Sequence, residues 1–512
     1  MNVIAKQVRP KAKAKPRKSK ASAPLREVPF KVTNPERIPA QRYYDQEFYD
    51  LECKYLWPKV WQMAARLEEI PQVGDWVEYK ILEKSIIVIR TKSGVKAFHN
   101  ACRHRGVEVA SGGHGNCATT GFICPFHGWR YDMEGKNTFV FNRQIFSPAQ
   151  LEQAELNLKP CRLEEWGGCA FINLDDDAAP LLDCIKPFAD WHDPRAAEKL
   201  RIEWWMAAEV PANWKVAMEA FMEGYHTMRS HPQLHAVILP SKYSHGLDMG
   251  EGPRKNIASP QDFVTAFMKQ MEIVSIGMNG QFHKSEVAVA RKLAKTVKLA
   301  DDMNQAPMDW VRQLNDAITK EARSRKVPMP DLNSLPPVSP DNFCFPHYFL
   351  LPGFGAMSSY RIRPLGPEKC LFELYSLILT PEGEERPVPR APKPLLVDDP
   401  AWPPIPAQDY SNIPLQQLGL HAEGFEYMRL SRDKEGAISN YHRVIDGFLE
   451  GRDRKTLTRG MANACSEIDS PIREDVWAPP AAADTRGLWE LTATAVAALP
   501  SARNSKARSN RR

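Results

Sequence analysis

The sequence predicts an α+β protein in two parts: a small all-β domain, followed by a larger domain with a central antiparallel sheet and surrounding helices. Three observations predict it. At 512 residues the chain is too long for one typical core. Apolar residues recur with period two in the stretch after Gly74 and again after Asn342. Between and beyond those stretches the spacing is helical. Hydrophobic residues make up 43% and charged residues 25%, the balance of an ordinary soluble globular chain. No apolar run reaches the ~18 residues of a membrane span, and no apolar leader opens the chain, so a secretory signal is not expected and a cytoplasmic location is.

The net charge of +6 is unevenly spread. Residues 1–26 hold nine Lys or Arg and residues 500–512 hold five, with no acid in either, so the rest of the chain is acidic at −8. Residues 1–28 therefore read as a basic disordered tail, and residues 456–512 as a C-terminal extension ending in a second one. A transit peptide would need an amphipathic pattern that the first tail lacks. Nucleic-acid binding is not expected, because no aromatic residues interleave the basic ones.

Residues 29–59 form an N-terminal helical segment expected to pack on the larger domain; the aromatic and apolar run from Gln41 to Leu67 has helical spacing, broken at Pro58. Residues 60–178 form the all-β domain, with three short strands in WVEYKILEKSIIVIRTKSGVKAFHN and more β-rich sequence through GGCAFINLDDD. Residues 179–455 form the larger domain. Within it, residues 255–340 are a helical insertion with at least two amphipathic patterns, HKSEVAVARKLAKTVKLADDM and MDWVRQLNDAITKEARSRK, then a Pro-rich linker. The segments FCFPHYFLLPGFGAMSSYRIRPL and CLFELYSLIL predict the central sheet, mostly helical sequence follows, and the body is expected to end near residue 452.

The all-β domain carries the sharpest motif: Cys102-Arg-His104-Arg-Gly106, seventeen residues, then Cys124-Pro-Phe-His127-Gly-Trp129. Thiolate and imidazole together suit zinc or iron–sulfur. Common zinc modules pair Cys with Cys and His with His, whereas each arm here supplies one of each. That fits a [2Fe–2S] centre with two Cys on one iron and two His on the other, the Rieske arrangement. In extended backbone Cys102 and His104 share a face, and Pro125 with Gly128 favours a tight loop in the second arm. His99 and His114 fall outside the ligand spacing and read as solvated loop residues. The Gly-rich run GGHGNCATTG has no strand-to-helix context for a dinucleotide fingerprint. The remaining cysteines, Cys53, Cys117, Cys161, Cys169, Cys184, Cys344, Cys370 and Cys465, are scattered and read as reduced thiols.

A second constellation lies in PANWKVAMEAFMEGYHTMRSHPQL. A helix is expected from near Asn213, behind Pro211. Trp214, Met218, Phe221 and Tyr225 then make an apolar core stripe, and Glu219, Glu223 and His226 share another face. His231 stands five residues past His226, and Pro232 drives it out of the α region, so the helix ends and both imidazoles turn toward one ion. Two His and one carboxylate on one face suit non-haem iron that must stay open to O2.

These motifs together resemble the Rieske non-haem iron oxygenases, the α subunits of aromatic ring-hydroxylating dioxygenases, over roughly residues 40–450. Arg105, Gly106, Phe126 and Trp129 match the oxygenase type of cluster loop; the respiratory type carries two further disulfide-linked Cys, and Cys117 has no loop partner. The resemblance implies that Cys102, His104, Cys124 and His127 hold the [2Fe–2S] cluster and that His226 and His231 hold Fe(II). It gives the third ligand to Asp409, in Gln408-Asp409-Tyr-Ser-Asn412, with Glu435 and Asp446 as other nearby acids. Glu223-Gly-Tyr-His226-Thr-Met-Arg-Ser-His231 looks like the family's D-x-x-H-x4-H segment with Glu in place of the usual Asp. That acid joins a cluster His of one subunit to an iron His of the next; Glu219 competes for the role.

The activity so implied is O2 activation at iron to hydroxylate or dihydroxylate an aromatic or other hydrophobic small molecule. The alternatives are monooxygenation or demethylation, and a non-catalytic Rieske electron carrier. No flavin or nicotinamide motif is present, so a separate NAD(P)H-dependent reductase is expected, with or without a ferredoxin. An inter-subunit electron path needs head-to-tail contacts that close, hence a homotrimer or α3β3 assembly. Apolar residues such as Phe221, Met222, Leu234, Phe354 and Met357 are pocket candidates, though each also reads as plain core.

Overall fold

The computed structural model describes residues 24–235, 259–303 and 305–479, so most of both basic tails lies outside the described residues. The chain begins with β1 (Arg37–Pro39) and α1 (Gln46–Tyr55). Asp45 caps α1 by accepting the Phe48 N–H at 2.8 Å, and the helix stops ahead of Pro58. The strands β2 (Gln62–Arg66), β3 (Asp75–Ile81), β4 (Lys84–Thr91), β5 (Gly94–His99) and β6 (His114–Asn116) follow. Next come the short strands β7 (Phe122–Ile123), β8 (Arg130–Tyr131) and β9 (Asn137–Phe139), the single turn α2 (Gln153–Leu156), β10 (Pro160–Trp166) and β11 (Cys169–Asn173). These build an antiparallel seven-stranded sheet in the order β2-β11-β10-β5-β4-β3-β6, with a three-stranded sheet β7-β8-β9 beside it.

The apolar run Ile86-Ile87-Val88-Ile89 in β4 is buried on both faces. Ile86 and Val88 point into the large core of the molecule, while Ile87 and Ile89 point into a smaller one with Cys102, Cys124 and Trp129. Alternation along the strand thus lets one strand serve two cores.

The larger part begins with α3 (Leu181–His192) and the long β12 (Leu200–Val210), then α4 (Trp214–Glu219) and α5 (Thr227–Ser230). Three helices, α6 (Pro260–Met278), α7 (Lys284–Ala294) and α8 (Ala306–Ser324), occupy the insertion. The strands β13 (Asn342–Cys344), β14 (Tyr348–Pro352), β15 (Ala356–Gly366) and β16 (Lys369–Leu379) precede α9 (Pro404–Gly419), β17 (Tyr427–Arg429), α10 (Gly436–Glu450), α11 (Arg454–Ala464) and β18 (Ser466–Glu467). The central sheet is antiparallel, in the order β12-β16-β15-β14-β13-β18. Among the described residues no helix is long and apolar enough to cross a membrane.

The two parts meet where β2 lies against the central sheet. Arg361 on β15 pairs with Glu373 through two 2.7 Å contacts and donates to the Ala64 carbonyl at 2.7 Å. His347 accepts the Met63 N–H at its Nε2 (3.0 Å) and donates from Nδ1 to the Ile362 carbonyl (3.1 Å). The N-terminal segment packs on the larger part, with buried Arg42 on Asp446 at 2.6 Å and α1 against α10.

Several expectations change. Helical spacing extended to Leu67, but residues 62–66 form strand β2 and residues 37–39 pair with β17. Residues 24–28 are docked: the Arg26 N–H and side chain bond to the carbonyls of Glu450 and Leu449, and Val28 is buried. The insertion holds a third helix, α6, whose Ser259 cap and Pro260 start the sequence reading passed over. The packed body also continues beyond residue 452. There α11 lies against α3 and α10, and β18 adds an edge strand to β13.

Candidate metal centres

The two cluster arms fold as near copies of one loop. The Gly106 N–H bonds to the Cys102 carbonyl (2.9 Å) and the Gly128 N–H to the Cys124 carbonyl (3.0 Å). Each Cys N–H closes the loop on the residue after that glycine, Val107 and Trp129, at 2.8 Å. Both glycines have left-handed backbone, φ +81° and +69°, which an L side chain resists. The turns leave both thiols buried and both imidazoles half-buried, with the His104 and His127 Nδ1 atoms facing each other at 3.2 Å. His104 stacks on Trp129, with ring centroids 5.0 Å apart. Burial, with the neighbouring His127 and Arg105, lowers the His104 pKa. Burial raises the Cys102 thiol, while the Tyr131 hydroxyl, 3.2 Å from Sγ, opposes it. Two inward thiols and two facing δ nitrogens fit a [2Fe–2S] group of the Rieske type. Tyr131 was missed in the sequence, since nothing in its spacing marks it. His99 and His114, expected in loops, lie on β5 and β6.

The second centre gathers His226, His231 and Asp409, whose ligand atoms lie within 4.8 Å of one another. Asn213 caps α4 by accepting the Lys215 N–H (2.9 Å), as the Pro211-Ala-Asn pattern predicted. The helix ends at Glu219, so Tyr225 leaves the expected core stripe and is 65% exposed, while Trp214, Met218 and Phe221 remain buried. His231 ends α5 with φ −125° ahead of Pro232, which turns its ring back toward His226. Asp409 sits on the buried face of α9.

Hydrogen bonds aim the rings. His226 Nδ1 bonds the Glu223 carboxylate at 2.9 Å, and the same carboxylate accepts the His226 N–H at 2.9 Å. His231 Nδ1 bonds Gln408 Oε1 at 2.7 Å. Both Nε2 atoms face Asp409 Oδ1, from 3.6 and 2.9 Å, so with Nδ1 as the donor each ring would turn its Nε2 lone pair to a metal bound there. This two-imidazole, one-carboxylate set fits a non-haem iron. Burial opposes a proton on His226, but Glu223, Asp409 and Asp341 outweigh it and lift its pKa to about 9. Burial raises Asp341 to about 7 against the pull of His226.

Two of the competing acids, Glu219 and Asp446, are otherwise engaged. Glu219 accepts from the Tyr43 hydroxyl at 2.9 Å and contacts His442 Nε2 at 2.7 Å; burial raises its pKa to about 8. Arg42 donates to His442 Nδ1, so His442 carries its proton on Nε2 and donates to Glu219. Asp446 holds Arg42. Glu219 and Glu435 share with Glu223, His226 and Asp409 the lining of a cavity of about 380 Å³. Of the pocket candidates, Phe221, Met222 and Met357 are buried core, and Leu234 and Phe354 are partly buried.

Family comparison agrees with this geometry. Residues 196–451 match the catalytic domain of the ring-hydroxylating α subunit, and residues 60–141 match the Rieske [2Fe–2S] domain. The chain belongs to the ring-hydroxylating oxygenase α-subunit family, whose domains carry a [2Fe–2S] cluster and a mononuclear iron. Among curated relatives it is 30% identical over 203 residues to the glycine betaine monooxygenase oxygenase subunit of Pseudomonas aeruginosa, covering 40% of this chain and 46% of that one. It is 30% identical over 217 residues to the carnitine monooxygenase oxygenase subunit of Escherichia coli K12 (41% and 55%). It is also 30% identical over 201 residues to the 2-aminobenzenesulfonate 2,3-dioxygenase α subunit of Alcaligenes sp. (39% and 50%). The chain spans about half the length of the curated relatives it matches. Its fold resembles that of a quaternary ammonium Rieske monooxygenase bound to L-carnitine (TM-score 0.53, 19% identity, 82% of this chain and 97% of that one). It also resembles naphthalene 1,2-dioxygenase from Rhodococcus sp. (TM-score 0.52, 19% identity, 84% and 96%).

Proposed function

We propose that the protein is the terminal oxygenase of a Rieske system and monooxygenates a small molecule bearing a quaternary ammonium group. The observation that carries the oxygenase reading is the convergence of two imidazole Nε2 atoms on one carboxylate, with both Nδ1 atoms held by other groups. Cys102, His104, Cys124 and His127 hold the cluster, and His226, His231 and Asp409 hold the iron. When bound, these groups supply one-electron transfer and O2 activation. Glu223 and Gln408 keep the two Nδ1 protons in place, which fixes tautomer and ring direction. Glu223 would also link an iron His to a half-buried cluster imidazole of a neighbouring copy by hydrogen bonds, in a closed trimer or α3β3 ring fed by a separate NAD(P)H-dependent reductase, with or without a ferredoxin.

The substrate class rests on the relatives named for carnitine and glycine betaine. A second reading, dihydroxylation of an aromatic ring, is favoured by the 2-aminobenzenesulfonate dioxygenase relative. The test is turnover with a surrogate reductase on panels of quaternary ammonium and aromatic compounds, reading O2 uptake and products by mass spectrometry. Oxygenated products from the first panel alone are expected. Products only from the aromatic panel overturn the substrate class, and uncoupled O2 uptake without product from any compound overturns the oxygenase reading.

A further inference from the structure

The loop that carries Glu223 and His226 is tied down from a part of the chain beyond both matched domains. Asp469 Oδ1 accepts the Gly224 N–H at 2.8 Å, in a buried setting. Gly224 stands between Glu223 and the turn into α5, and its carbonyl is taken by Thr227, whose hydroxyl donates at 2.7 Å. The Asp469 bond therefore completes the backbone hydrogen bonding of Gly224 and holds the peptide that leaves Glu223.

Asp469 is itself held hard. It is 5% exposed and has left-handed backbone, φ +60°, a conformation that Asp and Asn tolerate better than most residues. On one side, the Ile468 N–H bonds the Asp341 carbonyl at 2.9 Å, and β18 pairs with β13. On the other, the Gly436 N–H bonds the Ser470 carbonyl at 2.8 Å. An ideal Cβ on Gly436 would lie 1.9 Å from Pro471, so the segment runs tight against the start of α10. Lys434 Nζ stands 3.6 Å from Asp469 Oδ2. The segment thus couples the central sheet and α10 to the Glu223 loop through one side chain.

We propose that Asp469 is a positioning residue for the iron centre: its bond to Gly224 sets the Glu223–His226 contact and so the aim of the His226 ring. The proposal deepens the reading of Glu223 and His226 given above and rests on it. Two substitutions separate the acceptor from the charge, because both tolerate left-handed backbone: Asp469→Asn removes the charge and keeps an acceptor, and Asp469→Gly removes both. The measurement is Fe(II) affinity of holo-cluster enzyme depleted of mononuclear iron, with the Rieske EPR signal and thermal midpoint recorded alongside. Asp469→Gly is expected to weaken Fe(II) binding by about tenfold, within the range for groups that orient a metal's ligands. It should slow reoxidation of the pre-reduced cluster to a similar degree and leave the EPR signal unchanged. Asp469→Asn should stay within about twofold of wild type on the same scale.

Wild-type affinity in Asp469→Gly, even with a lowered thermal midpoint, overturns the proposal. So does equal damage in Asp469→Asn, which would assign the effect to charge. If Asp469→Gly fails to fold, Asp469→Ser takes its place, since its side chain ends one bond short of the Gly224 N–H: the same loss of affinity is expected there, and wild-type affinity overturns the proposal. His226→Ala is the control for the underlying reading: undiminished Fe(II) binding there refutes the iron site, whereas lost binding there with a silent Asp469→Gly refutes only the tether.

Discussion

The two centres of this chain are built in opposite ways. The four cluster candidates come from two loops of one small domain, each closed by its own glycine turn and backbone bonds. Their imidazoles reach the surface, beside exposed Phe126. The iron candidates come from α4–α5 and α9, sequence neighbourhoods far apart, and they are aimed by Glu223 and Gln408. The first is a local construction and the second a tertiary one. Electron entry needs an accessible edge, whereas O2 chemistry needs ligand directions set from several sides with one face left open. The second kind of site depends on more of the chain and is easier to damage from a distance.

The largest expected effect sharpens that contrast. Asp409→Ala removes the only one of the three iron candidates that comes from α9, and it leaves the cluster loops untouched. Oxygenation should fall by a factor of about 100 or more and bound mononuclear iron should drop, while the visible Rieske spectrum stays intact. Iron analysis and absorbance on the same preparation check this. Full turnover would move the third ligand to Asp341, Glu435 or another acid.

A smaller effect is expected at Glu223, the proposed link between the two constructions. Glu223→Gln keeps the shape of the bridge but loses the charge-assisted bond to His226 Nδ1. Both metals should still bind and the cluster should still accept electrons from its partner. Reoxidation of the pre-reduced cluster by O2 with substrate should slow by about 10- to 100-fold in single-turnover stopped flow. Glu223→Asp should recover part of the rate. Reoxidation at the wild-type rate in Glu223→Gln would show that Glu223 is not the bridge.

The same contrast explains what the sequence made legible. The cluster loops were readable because a local construction leaves its ligands at fixed spacing, and the strands β3 to β5 because one face or both are buried at period two. His226 and His231 were readable because Pro232 marks the turn between them and the rest of the fold. Asp409 was reached only through resemblance, since no local pattern reveals a ligand brought in by packing. Gln408 and Asp469 reach this region through hydrogen bonds set by tertiary contact, and no periodicity encodes those. The helix α6 escaped because apolar residues surround it, with Val264, Met268 and Met271 buried but Ile276 69% exposed, which blurs a face. Tyr225 was misplaced because the helical period was run through a chain that leaves the helix at Ala220.

The smallest effect on the two centres themselves is expected at the joint between the two regions, where the change is in stability rather than in rate. His347 links β2 of the cluster domain to β15 of the central sheet by accepting at Nε2 and donating at Nδ1. A proton on Nε2 would point at the Met63 N–H, so the folded protein holds this ring neutral. Burial, with Arg361 and Arg363 nearby, lowers its pKa to about 3. The unfolded chain takes up that proton below about 6.5. The folded pKa is depressed, so the stabilisation is complete above about pH 6.5 and is lost as the pH falls toward 3, amounting to about 3 kcal/mol by pH 4. His347→Gln offers an acceptor and a donor but does not titrate, so it should be less stable than wild type at pH 7 and close the gap as the pH falls to 4. Thermal midpoints of both proteins across that range, with cluster absorbance and iron content followed together, check the slope. Parallel curves would show that His347 does not couple the joint to pH.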